Sequence, residues 1–379
     1  MLKRIFTALI TALMFFCSQV SAYCLDEAEL SAEGAVLYCP VYGEILFEKN
    51  SDRQLSMAST TKIMTSLIAL EENTPQREIL ITPEMVNVEG TSSGLVAGER
   101  VTLIDLVKCM LLESGNDAAN AVAIALGSSF EGFAAIMNNR ARQIGMKNTS
   151  FVTPSGLDDE NHYTTAYDMA LLTAEALKDN TFELIASSLS DRVSLLENGT
   201  EITLYNHNKL LKTYDGCIGV KTGFTKKSGR CLVSAARRDG IVLIAVTLNA
   251  GDDWNDHKKM LDYGFSLFSK TEADTDFSMY SVRVTGAERE SVIPVSDGFS
   301  IGVLNQSELT RRVCLDKFLY APVSKGDIIG SARYYCGEKL IKEIPLFASE
   351  DVCVKQGTEN KNIFDRLLSL FDSWWKNGR

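Results

Sequence analysis

Apolar residues recur along this chain in two rhythms, and the change from one to the other marks its elements. Strand-like runs at 35–38 and 44–47, divided by a turn at Pro40 and Gly43, predict two short strands. A three-to-four spacing follows. Ile63, Met64, Leu67, Ile68 and Leu70 form one helical stripe, and residues 103–112, 117–126 and 130–144 predict three more helices. Strands return at 217–221, 231–236 and 241–248. This order predicts an α+β domain, with a helical cluster inserted between two halves of one antiparallel sheet and a cleft beside the strand that carries Lys221.

Beyond residue 268 the pattern changes. Residues 269–278 are polar and short of core residues, which predicts a linker. Alternating segments at 280–284, 291–295, 312–315, 328–335 and 340–344, bounded by Gly, Pro and Asp, predict a small all-β domain. A second polar stretch, 355–361, leads to a terminal segment bounded by Asn362 and Arg379. There Ile363, Phe364, Leu367, Leu368, Phe371, Trp374 and Trp375 share one helical face, an amphipathic pattern too short to span a bilayer but suited to lying on a membrane surface. At the other end, Lys3 and Arg4 precede an apolar run over 5–16, and Val20-Ser21-Ala22 offers small residues for cleavage. That is an export signal, so the protein is expected to work outside the cytoplasmic membrane. The expected organisation is therefore a signal peptide at 1–22, a large domain at 23–270, a linker at 271–278, a β domain at 279–354, and a linker with an anchor helix at 355–379.

Composition narrows the possibilities. A length of 379 residues suffices for a large domain and a small one, and a formal net charge of −11 argues against a nucleic-acid partner. Nine cysteines include no C-x-x-C, which argues against a zinc ribbon or thioredoxin-like site, and no metal or other cofactor is expected. Cys217 and Cys231 flank the Lys221 region and leave a bridge open there. His162, His207 and His257 lack metal-ligand spacing and read as hydrogen-bonded structural histidines.

Three short motifs carry the chemistry. Ser59-Thr60-Thr61-Lys62 is followed by Ser114-Gly115-Asn116 and then by Lys221-Thr222-Gly223. A serine hydroxyl is a weak nucleophile and needs a neighbouring base; a lysine serves only if desolvation or nearby positive charge lowers its pKa. At i and i+3 in a helix, Ser59 and Lys62 share a face, with Ser59 in the first turn, where unpaired N–H groups and the helix dipole favour negative charge. S-x-x-K alone is weak, since Ser373-Trp374-Trp375-Lys376 repeats it without companions. All three motifs in this order point to an acyl-serine site.

The chain resembles the D-alanyl-D-alanine carboxypeptidases, low-molecular-weight penicillin-binding proteins. The likeness extends to Gly145-Met146-Lys147-Asn148-Thr149, Pro154-Ser155-Gly156-Leu157-Asp158, His162-Tyr163-Thr164-Thr165-Ala166, Gly219 to Thr225 with Gly229-Arg230-Cys231-Leu232, and Ala321 to Gly326. It implies a β-lactamase/transpeptidase-like domain, a peptidoglycan stem peptide as substrate, covalent binding of β-lactam antibiotics, and a membrane-surface anchor. It also implies roles: Ser59 as nucleophile, Lys62 as general base with Ser114 and Lys221 as the alternative, Ser114 as proton relay to the leaving D-alanine, and Asn116 orienting the peptide amide. Lys221 would depress the pKa of Lys62, Thr222 would bind the terminal carboxylate, Gly223 and Phe224 would join it as substrate-binding residues, and the backbone N–H groups of Ser59 and Phe224 would hold the oxyanion. One departure stands out. The family often carries an arginine after the strand following this hairpin, but residues 249–257 contain none, so carboxylate binding is left to Thr222, Lys221 or His257. The competing readings are a β-lactamase, which lacks support because no E-x-x-L-N element lies between Ser114 and Lys221, and a non-catalytic wall-binding protein, against which the intact motifs speak.

Overall fold

The computed structural model describes residues 24–72, 74–305, 307–355 and 368. The predicted signal peptide and, apart from Leu368, the predicted 362–379 helix lie outside the described residues. Compact packing divides the chain into two units, residues 1–269 and 270–379.

The first unit is built on a five-stranded antiparallel sheet of β1 (Gly34–Cys39), β2 (Glu44–Lys49), β3 (Cys217–Thr225), β4 (Gly229–Arg238) and β5 (Ile241–Ala250), in the order β2-β1-β5-β4-β3. Its centre is apolar on both faces because both are covered. Alternation along the strands sorts side chains to opposite sides. Val36 and Tyr38 of β1 join the main core, where Tyr38 meets Tyr167 edge-on at 6.1 Å. Leu37, between them, faces Gly264 of a helix at Asp253–Ser266 instead.

The main core is formed with helices α1 (Lys62–Glu71), α2 (Leu103–Lys108), α3 (Asn116–Gly127), α4 (Phe130–Ile144), α5 (Ala166–Ala176) and α6 (Asn180–Ser187). The helix at Asp253–Ser266 is α7. Residues 62–69 of α1 are all buried, since this helix runs through the middle of the cluster rather than along its surface. The inserted helical cluster and split sheet therefore appear as the strand and helix pattern implies.

Two elements differ in detail from the sequence expectation. Ser59 is not in the first α-turn but in a 3-10 turn, Ala58–Thr61, just before α1. Ala58 has φ 47, and the hydroxyls of Thr60 and Thr61 bind the carbonyls of Met57 and Ala58 at 2.6 and 2.8 Å, tightening that turn. The helix expected over 103–112 is α-helical to Lys108 and then widens into a π-turn, Cys109–Glu113, ending at Ser114 with φ 66.

The second unit is β-rich, with a four-stranded sheet of Pro294–Val295, Lys339–Ala348, Ile328–Cys336 and Leu309–Leu315, and a three-stranded sheet centred on Val282–Thr285. The expected linker is not free chain. Phe268–Glu272 is a strand paired with Ser300–Leu304, Phe277 is buried against Tyr334 and Leu346, and the carbonyl of Asp274 accepts from Arg311 and Tyr334, both at 2.8 Å. Among the described residues no single helix is long and apolar enough to cross a membrane, and all eight described cysteines are free thiols. Cys217 pairs with Ala236 and Cys231 with Gly223, a register that keeps the two apart.

Candidate active site

The 3-10 turn holds Ser59 at the mouth of a cleft, and α1 places Lys62 directly behind it. Lys62 Nζ lies 2.9 Å from Ser59 Oγ, 2.7 Å from Asn116 Oδ1 and 2.7 Å from the carbonyl of Ser155. Three oxygen partners match the three N–H bonds of an ammonium; a neutral amine would donate two and accept the serine proton through the third. Lys62 is fully buried. That burial, and next the nearby charge of Lys221, hold its pKa well below the ordinary value, against a smaller opposing pull from Asp117.

Lys221 is also buried, with Nζ donating to the Thr222 carbonyl at 2.8 Å. Burial lowers its pKa to about 7, and Glu113 pulls in the opposite direction. Asn116 is gripped at both ends of its amide, because Nδ2 donates to the Glu89 carbonyl at 2.6 Å. Asp117 fastens the adjoining loop: its carboxylate accepts from the backbone of Ser93 and Leu95 and from Ser92 Oγ. The loop carrying Glu89, Gly90 and Thr91 thereby becomes a wall of the cleft.

On the opposite side β3, the edge strand of the sheet, passes against the serine turn. A Cβ on Gly223 would lie 3.0 Å from Ser59 N and 3.1 Å from Thr60 N, so glycine permits this approach. Behind the turn, Gly156 has φ 87, and a Cβ there would meet the Ala58 carbonyl oxygen at 1.9 Å.

The cleft has two arms that share Ser59, Thr91 and Phe224. The larger, about 490 Å³, is lined further by Asn116, Ser155, Gly156 and Asp158. The smaller, about 290 Å³, runs past Ser114, Thr222 and Gly223 to Arg230, Asp253 and Trp254. All eight residues expected from the motifs thus meet at one place: Ser59, Ser114, Asn116, Thr222, Gly223 and Phe224 on the walls, Lys62 and Lys221 buried.

His257 does not belong there. It is completely buried, bonded to Ser234 at 2.5 Å and Thr247 at 2.9 Å, and burial lowers its pKa to about 3, so it cannot serve as a carboxylate-binding cation. His162 is likewise interior, bonded to Thr61 Oγ1 and to the backbone N–H of Val152. His207, in contrast, lines the smaller arm, 3.6 Å from Glu113. Ser155 contributes a backbone carbonyl, which residue type does not reveal; the positive-φ Gly156 after it is the signal that the chain turns tightly there. Among the described residues no group of three or more His, Cys, Asp or Glu is placed to hold a metal ion.

Comparison with known proteins places the chain in a family. The D-alanyl-D-alanine carboxypeptidase family (peptidase S11) matches residues 21–252, and the penicillin-binding protein 5 C-terminal domain matches residues 271–353. The chain is 29% identical to the D-alanyl-D-alanine carboxypeptidase DacF of Bacillus subtilis, over 93% of this chain and 95% of that relative. Among solved structures, it is similar to penicillin-binding protein 5 of Haemophilus influenzae at 28% identity and a TM-score of 0.61, covering 87% of this chain and all (100%) of that one. The Streptomyces K15 DD-transpeptidase is similar at 30% identity and a TM-score of 0.60, over 63% of this chain and 98% of that one. The chain belongs to the D-alanyl-D-alanine carboxypeptidase family of penicillin-binding proteins.

Proposed function

We propose that this carboxypeptidase removes the terminal D-alanine of a peptidoglycan stem peptide through an ester on Ser59. The observation that carries this reading is the 2.9 Å contact between Lys62 Nζ and Ser59 Oγ inside a buried, charge-depressed lysine site. The peptide would lie along the open edge of β3, with its acyl part in the larger arm and its last residue in the smaller.

Lys62, as the neutral amine, takes the proton of Ser59 Oγ while Oγ bonds to the penultimate carbonyl carbon. The backbone N–H groups of Ser59 and Phe224, brought close by Gly223, stabilise the oxyanion, an effect often worth about 3–4 kcal/mol per donor. When the C–N bond breaks, the leaving amine gains a proton relayed by Ser114, beside the charge of Lys221. Water then attacks the ester, the proton it loses passes back through Lys62, and Ser59 is restored. Lys62 is the base favoured over Ser114 with Lys221, because Lys62 contacts the nucleophile whereas Lys221 is bonded to the Thr222 carbonyl. Asn116, held at both ends, presents its amide to the peptide.

The same reading includes an exported protein with a cleaved signal at 1–22 and surface attachment through 362–379, supported by the sequence pattern. Its test is D-alanine release from an acylated D-Ala-D-Ala peptide: the parent protein should release it and Ser59→Ala should not. Undiminished release by that variant sinks the proposal.

A further inference from the structure

The smaller arm ends in a cation that none of the three motifs contains. Arg230 follows the turn between β3 and β4 and pairs across the hairpin with Phe224, so it stands on the sheet edge beside the serine turn. It lines the same arm as Ser59, Ser114 and Thr222. Its Nε lies 3.5 Å from Oδ1 of Asp253, whose side chain is only 5% exposed while that of Arg230 is 45% exposed. The buried acid at the start of α7 therefore fixes one edge of the guanidinium. Among the described residues no other ion pair is recorded for it, and its terminal nitrogens remain available for a planar, two-point contact with a carboxylate. Beside it Trp254 also lines this arm.

Resting on the reading that Ser59 is acylated with the last residue in this arm, we propose that Arg230 is the specificity-determining group that binds the free carboxylate of the leaving D-alanine, with Asp253 as its positioning residue. One residue spans about 3.3–3.6 Å of extended chain, so a carboxylate one residue beyond the scissile carbonyl falls within this short arm, where Thr222 supplies a neutral donor and Arg230 the charge. The stretch 249–257, devoid of arginine, contributes the acid that holds an arginine delivered from β4. Such an arrangement should discriminate against a peptide whose terminus is uncharged.

The test compares kcat/KM on an acylated D-Ala-D-Ala peptide and on its C-terminal carboxamide for the parent, Arg230→Gln and Arg230→Lys. On the acid, Arg230→Gln should lose about 10- to 100-fold, mainly through KM, the range of a charge-assisted hydrogen bond to a carboxylate. On the carboxamide it should lose less than about threefold, collapsing the acid preference, because no charge is there to be recognised. Arg230→Lys should retain part of that preference, since it keeps the charge without the planar fork. Equal losses on both peptides would reveal a merely structural arginine and overturn the proposal, as would an unchanged rate on the acid. Ser59→Ala reports separately on the nucleophile: release of D-alanine by that variant overturns the acylation reading, while the acid-to-amide ratio still tests Arg230.

Discussion

Lys62 and Lys221 are buried with oxygen acceptors, and among the described residues neither is held in an ion pair. Such a site opposes protonation, which suits a base but costs stability. For Lys221 the folded pKa is about 7 against an ordinary 10.5. Between those values the unfolded chain binds the extra proton, so the unfolding free energy rises with pH across that window, and the full cost is present below it. Replacing Lys221 by Met should therefore stabilise the protein relative to the parent at about pH 6, and the advantage should shrink towards about pH 10. Denaturant unfolding of both proteins at the two pH values checks this, and a gap independent of pH contradicts it. Catalysis gives a second expectation. Lys62→Ala should slow acylation by about 10²–10⁴, the usual span of general-base effects. Lys221→Ala removes a positive charge that lowers the Lys62 pKa, so the rising limb of kcat/KM against pH should move to higher pH. An unmoved limb would remove Lys221 from that network.

At the scale of elements, the nucleophile is positioned by a turn that two glycines allow to be crowded. Gly156 has a left-handed φ and packs against the Ala58 carbonyl, so Gly156→Ala must displace the turn that bears Ser59. It should lower the penicillin acylation rate at least about tenfold and cost about 1–3 kcal/mol of stability. Parent-like acylation in that variant would mean the turn is not held from behind. The sequence makes much of this level readable. Phe130–Ile144 ends where its apolar spacing stops, at a glycine with positive φ, and the three motifs converge as their chemistry requires. Other features are not readable because non-local contacts create them. The 3-10 turn at Ser59 depends on Gly156 and Gly223 pressing on it from distant segments, and the π-turn before Ser114 leaves no trace in local propensity. Helices α5, α6 and α7 lie where the sequence shows motifs or polar runs rather than a clear apolar stripe, and Phe277 in its polar run has no periodicity to mark it. Arg230 enters the site through strand pairing, and its role becomes visible only once Asp253 is placed beside it.

For the whole molecule, the acyl-serine cleft lies entirely within the first unit, whereas the proposed membrane attachment belongs to residues 362–379. The terminal segment offers Phe364, Leu367, Phe371, Trp374 and Trp375 for insertion, each worth about 1.5–3 kcal/mol if fully buried. Its charges nearly cancel, so high salt should release little of the protein from vesicles and detergent should release most of it. Deleting 362–379 should give a protein that stays off vesicles yet cleaves a small D-Ala-D-Ala peptide; vesicle binding by the truncated protein, or lost activity, would make the segment structural instead. The most direct test of the central claim is to incubate the intact chain with a penicillin and locate the adduct by peptide mass mapping. A single, slowly hydrolysed adduct on Ser59, absent from Ser59→Ala, is the expected result, and an adduct on any other residue, or none, would contradict it.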